Sequence, residues 1–198
     1  MPDITLTDAL SRRRTVRDFT GAAISRDTLN RLIWAAQGIT RADGKRTTPS
    51  AHALHPLWLF VVANRVDGLG ESLFAVDPAD LALKDMNRSG VALALKNAAL
   101  DDLQCMLDAA CIVAICADMV TPSRAFADQK PYGARGARYV SMEAGAAAQN
   151  LQLQATAEGL GCVWVGGFDD DAAAVALGLE APLAPLILLC VGQPASIK

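Results

Sequence analysis

Residues 12 to 17 read RRRTVR, which puts four arginines into six positions of an otherwise slightly acidic chain of net charge −3. Guanidinium forks are the preferred protein partners of phosphate, and no other stretch concentrates positive charge so tightly. By itself the run also fits a solvated charged turn. A second set of polar groups lies at Pro49, Ser50, His52 and His55, and a third at the glycine-marked stretch GCVWVGGFDD, residues 161 to 170. Five cysteines without CxxC spacing fit buried thiols better than disulfides or a zinc site, for which only two histidines are available. The glycines do not form GxGxxG after a strand, and neither a GxxxxGK[ST] loop nor a GxSxG elbow occurs. Dinucleotide-fold, P-loop and serine-hydrolase chemistry are therefore unsupported.

Secondary-structure elements must position these groups, and the pattern of the chain supplies them. Thr7 is a candidate cap for a short helix that delivers the arginines at its end. Ser25 is a better one, ahead of a stripe of Leu29, Leu32, Ile33 and Ala36 that closes at Gly38. Leu57–Ala63, Leu73–Val76, Cys111–Ala117, Cys162–Val165 and Leu186–Val191 read as strands. Residues 78–83, 97–109, 138–158 and 171–177 read as helices, and 122–136 as a loop. Strands that neighbour one another lie far apart in sequence, which predicts an α+β class in one domain over residues 1–198. The run Ala144 to Ala148, with Gly145 inside it, predicts close packing of the long helix, either within the chain or against a second copy.

Composition narrows the function. At 198 residues with 52% hydrophobic and 20% charged residues, the chain can build a well-buried core. Its negative balance argues against nucleic-acid or membrane-surface binding. A start without a basic segment before an apolar one, and no apolar run of about 18 residues, lead to the expectation of a cytoplasmic protein.

The three segments, in their order, resemble the FMN-dependent nitroreductase family. Residues 132–194, together with RTTPSAHALHP at 46–56, are similar to the branch containing oxidases that mature thiazoline and oxazoline rings. The resemblance implies a mainly antiparallel sheet flanked by helices, in a homodimer with FMN at the subunit interface. It implies that Arg13, Arg14 and Thr15 hold the FMN phosphate and ribityl chain, and that Arg17 lies near the pyrimidine end of the ring. Pro49, Ser50 and Ala51 match a segment that reaches the flavin from the partner subunit. Val165, Gly166 and Gly167 match backbone beside the reactive edge, and Gln104 matches a polar position near the ribityl and pyrimidine atoms.

The implied activity is a ping-pong oxidoreductase, with NADH or NADPH as reductant and a nitroaromatic, quinone or similar acceptor. The alternatives are an azoline-oxidase-like dehydrogenase and a flavin binder without turnover. His52 and His55 are candidates for proton transfer or for structural hydrogen bonding. Tyr132, Arg135, Arg138 and Tyr139 are candidates for shaping the acceptor pocket or capping the long helix. Three departures accompany the resemblance. The family's acidic residue is Gly166 here, its asparagine between Ser50 and His55 is missing, and its C-terminal basic pair at the phosphate has only Lys198 or Arg46 as a counterpart.

Overall fold

Cys111–Asp118 (β4) is buried along nearly its whole length, and its side chains alternate between two separate apolar clusters. That is why it reads as a continuous apolar run: a central strand covered on both faces has no polar face to show. A computed structural model describes residues 4–195, and the candidate Lys198 lies outside them. Around β4 the six strands lie in the order β3-β2-β1-β4-β6-β5, with Leu57–Ala63 as β1, Ser72–Val76 as β2, Leu83–Asp85 as β3, Gly161–Val165 as β5 and Leu183–Gly192 as β6. Every ladder is antiparallel.

Helices cover both faces. Arg26–Gln37 (α2) and the 23-residue Arg135–Ala157 (α6) pack on one, placing Leu29, Leu32 and Ile33 with Val140, Ala144, Ala147 and Leu151 against odd-numbered side chains of β1 and β4. Val91–Ala98 (α3), Cys105–Asp108 (α4) and Asp170–Leu177 (α7) supply the second cluster, with Leu95, Met106 and Leu177 fully buried. The α+β class and the helix-flanked antiparallel sheet predicted above are therefore observed.

Several boundaries differ from the sequence reading, each for a local reason. Thr5, not Thr7, caps Leu6–Arg12 (α1), because Asp8 stands three residues on and closes a capping box: Thr5 Oγ1 accepts the Asp8 N–H at 3.1 Å. Of residues 78–83, read as a helix, 78–82 form a turn and connection, with Asp77 and Asp80 accepting the Ala79 and Ala82 N–H groups at 2.7 and 2.8 Å, and Leu83 opens β3. The helix read at 97–109 is broken between α3 and α4. Residues 98–100 there pair with residues 167–169 through Leu100 N–H to Gly167 O (3.0 Å) and Asp169 N–H to Ala98 O (2.8 Å). Inside the expected loop at 122–136, Val120–Ala125 (α5) forms because Asp118 accepts two N–H groups at its start, and α6 begins at Arg135.

Candidate functional site

The arginine segment is an extension of the sheet edge. After α1 ends, Thr15 pairs in parallel with Cys162 of the edge strand β5, and Val16 N–H donates to Cys162 O at 3.0 Å. The approach is close enough that a Cβ on Gly161 would sit 2.6 Å from Val16 Cγ1, so glycine is required there. The amide of Gln152 on α6 lies 3.5 Å from Arg14 O and 3.4 Å from Cys162 O. Farther on, Thr20 N–H donates to Gln193 O and Ala195 N–H to Asp18 O, both at 2.9 Å, fixing the other end. The backbone is therefore tied down while Arg14, Thr15 and Arg17 stay exposed and Arg13 is half-buried. Among the described residues none of these arginines pairs with a carboxylate. Arg14 Nη1 bonds only its own segment, donating to Ser11 O and Arg13 O at 2.8 Å.

Two more predicted groups lie at this edge. Val165 ends β5 buried, and Gly166 and Gly167 follow it exposed. A Cβ on Gly166 would meet nothing within 4 Å, and one on Gly167 only Leu100 Cδ1 at 3.8 Å. Nothing inside the chain demands glycine at these positions, so a flat ring can lie against bare backbone there. Gln104 is exposed and donates to Asp108 Oδ1 at 3.2 Å. Its neighbour Cys105 has a thiol pKa lowered to about 7, first by a hydrogen bond with the Cys190 thiol and further by the Arg17 charge. The other three thiols, Cys111, Cys116 and Cys162, are pushed upward by burial, Cys111 to about 12. These guanidiniums, an open glycine backbone and an amide fit an anionic, planar nucleotide.

Pro49, Ser50 and Ala51 are held elsewhere. Ala51 N–H donates to Glu143 Oε1 of α6 at 2.7 Å, and Ser50 Oγ accepts the His55 N–H at 2.8 Å. Glu143 and Gln152, the anchors of the two segments on α6, are nine residues apart, about 13 Å along the helix. In the sheet, β1, which this segment leads into, is separated from β5 by β4 and β6. The structure thus brings together the arginine, glutamine and glycine groups and leaves the 49–51 segment apart from them within one chain.

Glu143 escaped the sequence reading. It falls three residues after Val140 on the apolar stripe of α6, and an acid on such a stripe is the signal that could have found it. Burial raises its pKa, opposed by its bonds from Ala51 and Ser50.

The remaining candidates take structural places. His52 stacks edge-on against Phe126 at 4.9 Å, and Phe126 against Tyr139 at 4.8 Å. Burial, reinforced by the Arg46 charge, lowers the His55 pKa, so its imidazole is neutral near pH 7. Arg46 donates to the carbonyls of Gln37 (2.8 Å) and Pro78 (2.7 Å), which removes it as a stand-in for the missing basic pair. Arg135 bonds Lys130 O and lies over the Tyr139 ring, joining the start of α6 to the loop before it. Tyr132 and Arg138 are exposed.

A six-stranded antiparallel sheet flanked by helices is the nitroreductase-like architecture. The nitroreductase family model matches residues 10–193, so the chain belongs to the nitroreductase family. A protein of Methanocaldococcus jannaschii named as a nitroreductase is 34% identical over 191 residues, covering 96% of this chain and 92% of its own. Among solved structures, one from Anabaena variabilis, likewise named for the family, has a TM-score of 0.78 at 25% identity, and the match spans 96% of this chain but 38% of that one. A Desulfovibrio desulfuricans structure in complex with FMN has a TM-score of 0.67 at 20% identity, covering 99% and 90% of the two chains. The Escherichia coli microcin synthetase McbBCD complex contains a chain with a TM-score of 0.74 at 20% identity, covering 99% and 75%.

Proposed function

We propose that this member of the nitroreductase family is an FMN-dependent oxidoreductase that binds its cofactor along the β5 edge and completes the site with residues 49–51 of a second subunit. The observation that carries the reading is the set of unpaired guanidiniums at Arg13, Arg14 and Arg17 beside the open backbone of Gly166 and Gly167. FMN in the Desulfovibrio desulfuricans structure of the same fold supports the choice of nucleotide. Bound FMN supplies a two-electron redox centre that passes a hydride from NADH or NADPH to a nitroaromatic, quinone or similar acceptor in two half-reactions.

The protein holds and polarises. Arg13, Arg14 and the Thr15 hydroxyl take the phosphate and ribityl end, with charge-assisted bonds of about 1.5–3 kcal/mol each. Arg17 places positive charge at the far end of the ring, where negative charge is favoured in the reduced state. Gln104 contributes an amide, and Val165 with the two glycines presents backbone to the ring edge.

Two features support the homodimer. The 49–51 segment is anchored about 13 Å along α6 from the arginine segment of its own chain, with β4 and β6 between β1 and β5, and exposed Leu6, Leu10, Trp34 and Met142 leave apolar surface on α1, α2 and α6. Gly145 adds to this, since a Cβ there would meet nothing within 4 Å in its own chain. Unpaired buried thiols suit a cytoplasmic setting. Among the described residues no helix is long and apolar enough to cross a membrane.

Anaerobic stopped-flow mixing of the FMN-loaded protein with NADPH or NADH tests the activity. Rapid bleaching, followed by recovery on adding a nitroaromatic or quinone, is the expected result. Loss of colour with neither nicotinamide overturns the reductase. A second reading, oxidation of a thiazoline- or oxazoline-type ring, is favoured by the likeness to the microcin synthetase chain. It predicts bleaching by such a donor alone.

A further inference from the structure

We infer that Glu143 is a positioning residue whose buried carboxylate sets the 49–51 segment in the form that enters the flavin site of a second subunit. This rests on the proposed function and adds to it a residue that contacts neither cofactor nor substrate.

Glu143 is 7% exposed and makes no ion pair among the described residues. Its neighbours on the same stripe are Val140, Ala144 and Ala147, so packing alone would select an apolar side chain there. A buried carboxylate without a cation is retained only where donors converge on it. Here the Ala51 N–H of that segment donates at 2.7 Å, and the neighbouring Ser50 side chain also favours the charged form.

The Ser50 oxygen in turn accepts the His55 N–H at 2.8 Å. The segment is thus tied to the helix through Ala51 and closed on itself through Ser50 and His55. Between these ties, His52, Ala53 and His55 adopt left-handed backbone at φ 53, 54 and 48°, a region non-glycine residues avoid. Such strain persists only where surroundings over-determine it, and it clusters at functional sites. The outcome of this bracing is outward: Pro49, His52 and Ala53 are exposed, about 13 Å along α6 from the anchor of their own chain's arginine segment.

Mixed dimers separate this role from simple structural support. Two differently tagged chains, one Glu143→Leu and one R13A/R14A, are co-expressed and purified through both tags. If Glu143 acts across the interface, the mixed dimer has one doubly defective site and one intact site. Each parent homodimer then loses FMN on dialysis, and the mixed dimer retains about one FMN per two chains. If Glu143 serves its own chain's site, both sites of the mixed dimer are defective and no flavin is retained, which overturns the inference. Retention of flavin by the Glu143→Leu homodimer at the wild-type Kd overturns it as well.

Glu143→Gln keeps one acceptor oxygen and is expected to recover most of the affinity, with a Kd within about tenfold of wild type. Should Glu143→Leu not fold, Glu143→Ala in the same mixture decides the question. Wild-type protein that binds no FMN refutes the proposed function itself and is read separately, before any variant is mixed.

Discussion

Arginine plays two opposite parts in this chain. Arg46 and Arg65 are committed inward: Arg46 to the carbonyls of Gln37 and Pro78, Arg65 to those of Leu107 and Ala109 at 2.7 and 3.1 Å. Each joins a carbonyl in the last turn of a helix to one outside it, groups without a strand ladder to satisfy them. Arg13, Arg14 and Arg17 sit on a backbone tied to β5 and to residues 193–195; Arg14 bonds only carbonyls of its own segment, and among the described residues none of the three pairs with a carboxylate. The same guanidinium is thus mortar in one place and, under the proposed function, a ligand donor in the other. What separates the two is whether the surrounding backbone has already found its partners.

The largest effects should come from exchanging those parts. Replacing Arg13 and Arg14 with alanine is expected to weaken FMN binding by roughly 10²–10⁴-fold, the loss of two charge-assisted bonds, with stability changed by less than about 0.5 kcal/mol. Arg46→Ala should do the reverse. It is expected to lower unfolding free energy by about 3 kcal/mol in a urea titration, with the FMN Kd of the folded fraction within threefold of wild type. A large flavin loss in Arg46→Ala would erase the distinction.

Glycines on α6 sharpen the same inward and outward contrast. A Cβ on Gly136 would lie 2.5 Å from the Pro122 backbone, so Gly136→Ala should destabilise by about 1–3 kcal/mol in thermal unfolding. Gly145 has open space within its chain, and Gly145→Ala should leave the protomer unharmed or more stable by up to about 1 kcal/mol. In sedimentation velocity at low concentration, the same variant should shift the dimer toward monomer. Equal, purely stabilising behaviour at both positions would show that the outer face of α6 meets no partner.

The smallest effect concerns pH. Arg31, bonded to Glu158 at 2.6 Å, holds that carboxyl below its usual range, with Gln154 assisting. Because the folded value is the lower one, this stabilisation is present above the ordinary glutamate range and disappears as the pH falls through and below it. Arg31 is 38% exposed, so solvent screens the pair to about 0.5 kcal/mol. Arg31→Ala should lower the neutral plateau of the stability profile by that amount, leave the stability at low pH nearly unchanged, and so flatten the acid limb between them.

Much of the frame was legible before the structure. β1 and β4 declare themselves because burial on both faces makes their runs continuously apolar, and α2 because its cap and stripe agree. The three-residue β3 is too short to carry a pattern, and it exists through its pairing with β2. Residues 99–104 look helical, and tertiary pairing with Phe168 overrides that propensity. At the site, the arginines and glycines were visible as residue types out of place. Arg46 was misjudged because sequence shows a charge and not the carbonyls around it. Glu143 was missed because its hydrogen-bond donor, the Ala51 N–H, is 92 residues away and is a backbone group.

The most direct test of the central claim is the flavin-to-protein ratio after desalting, measured by visible absorbance on wild type and R13A/R14A side by side, each first incubated with FMN. The account predicts a ratio near one per chain for wild type and near zero for the variant. A colourless wild type, or a variant equally yellow, would contradict it.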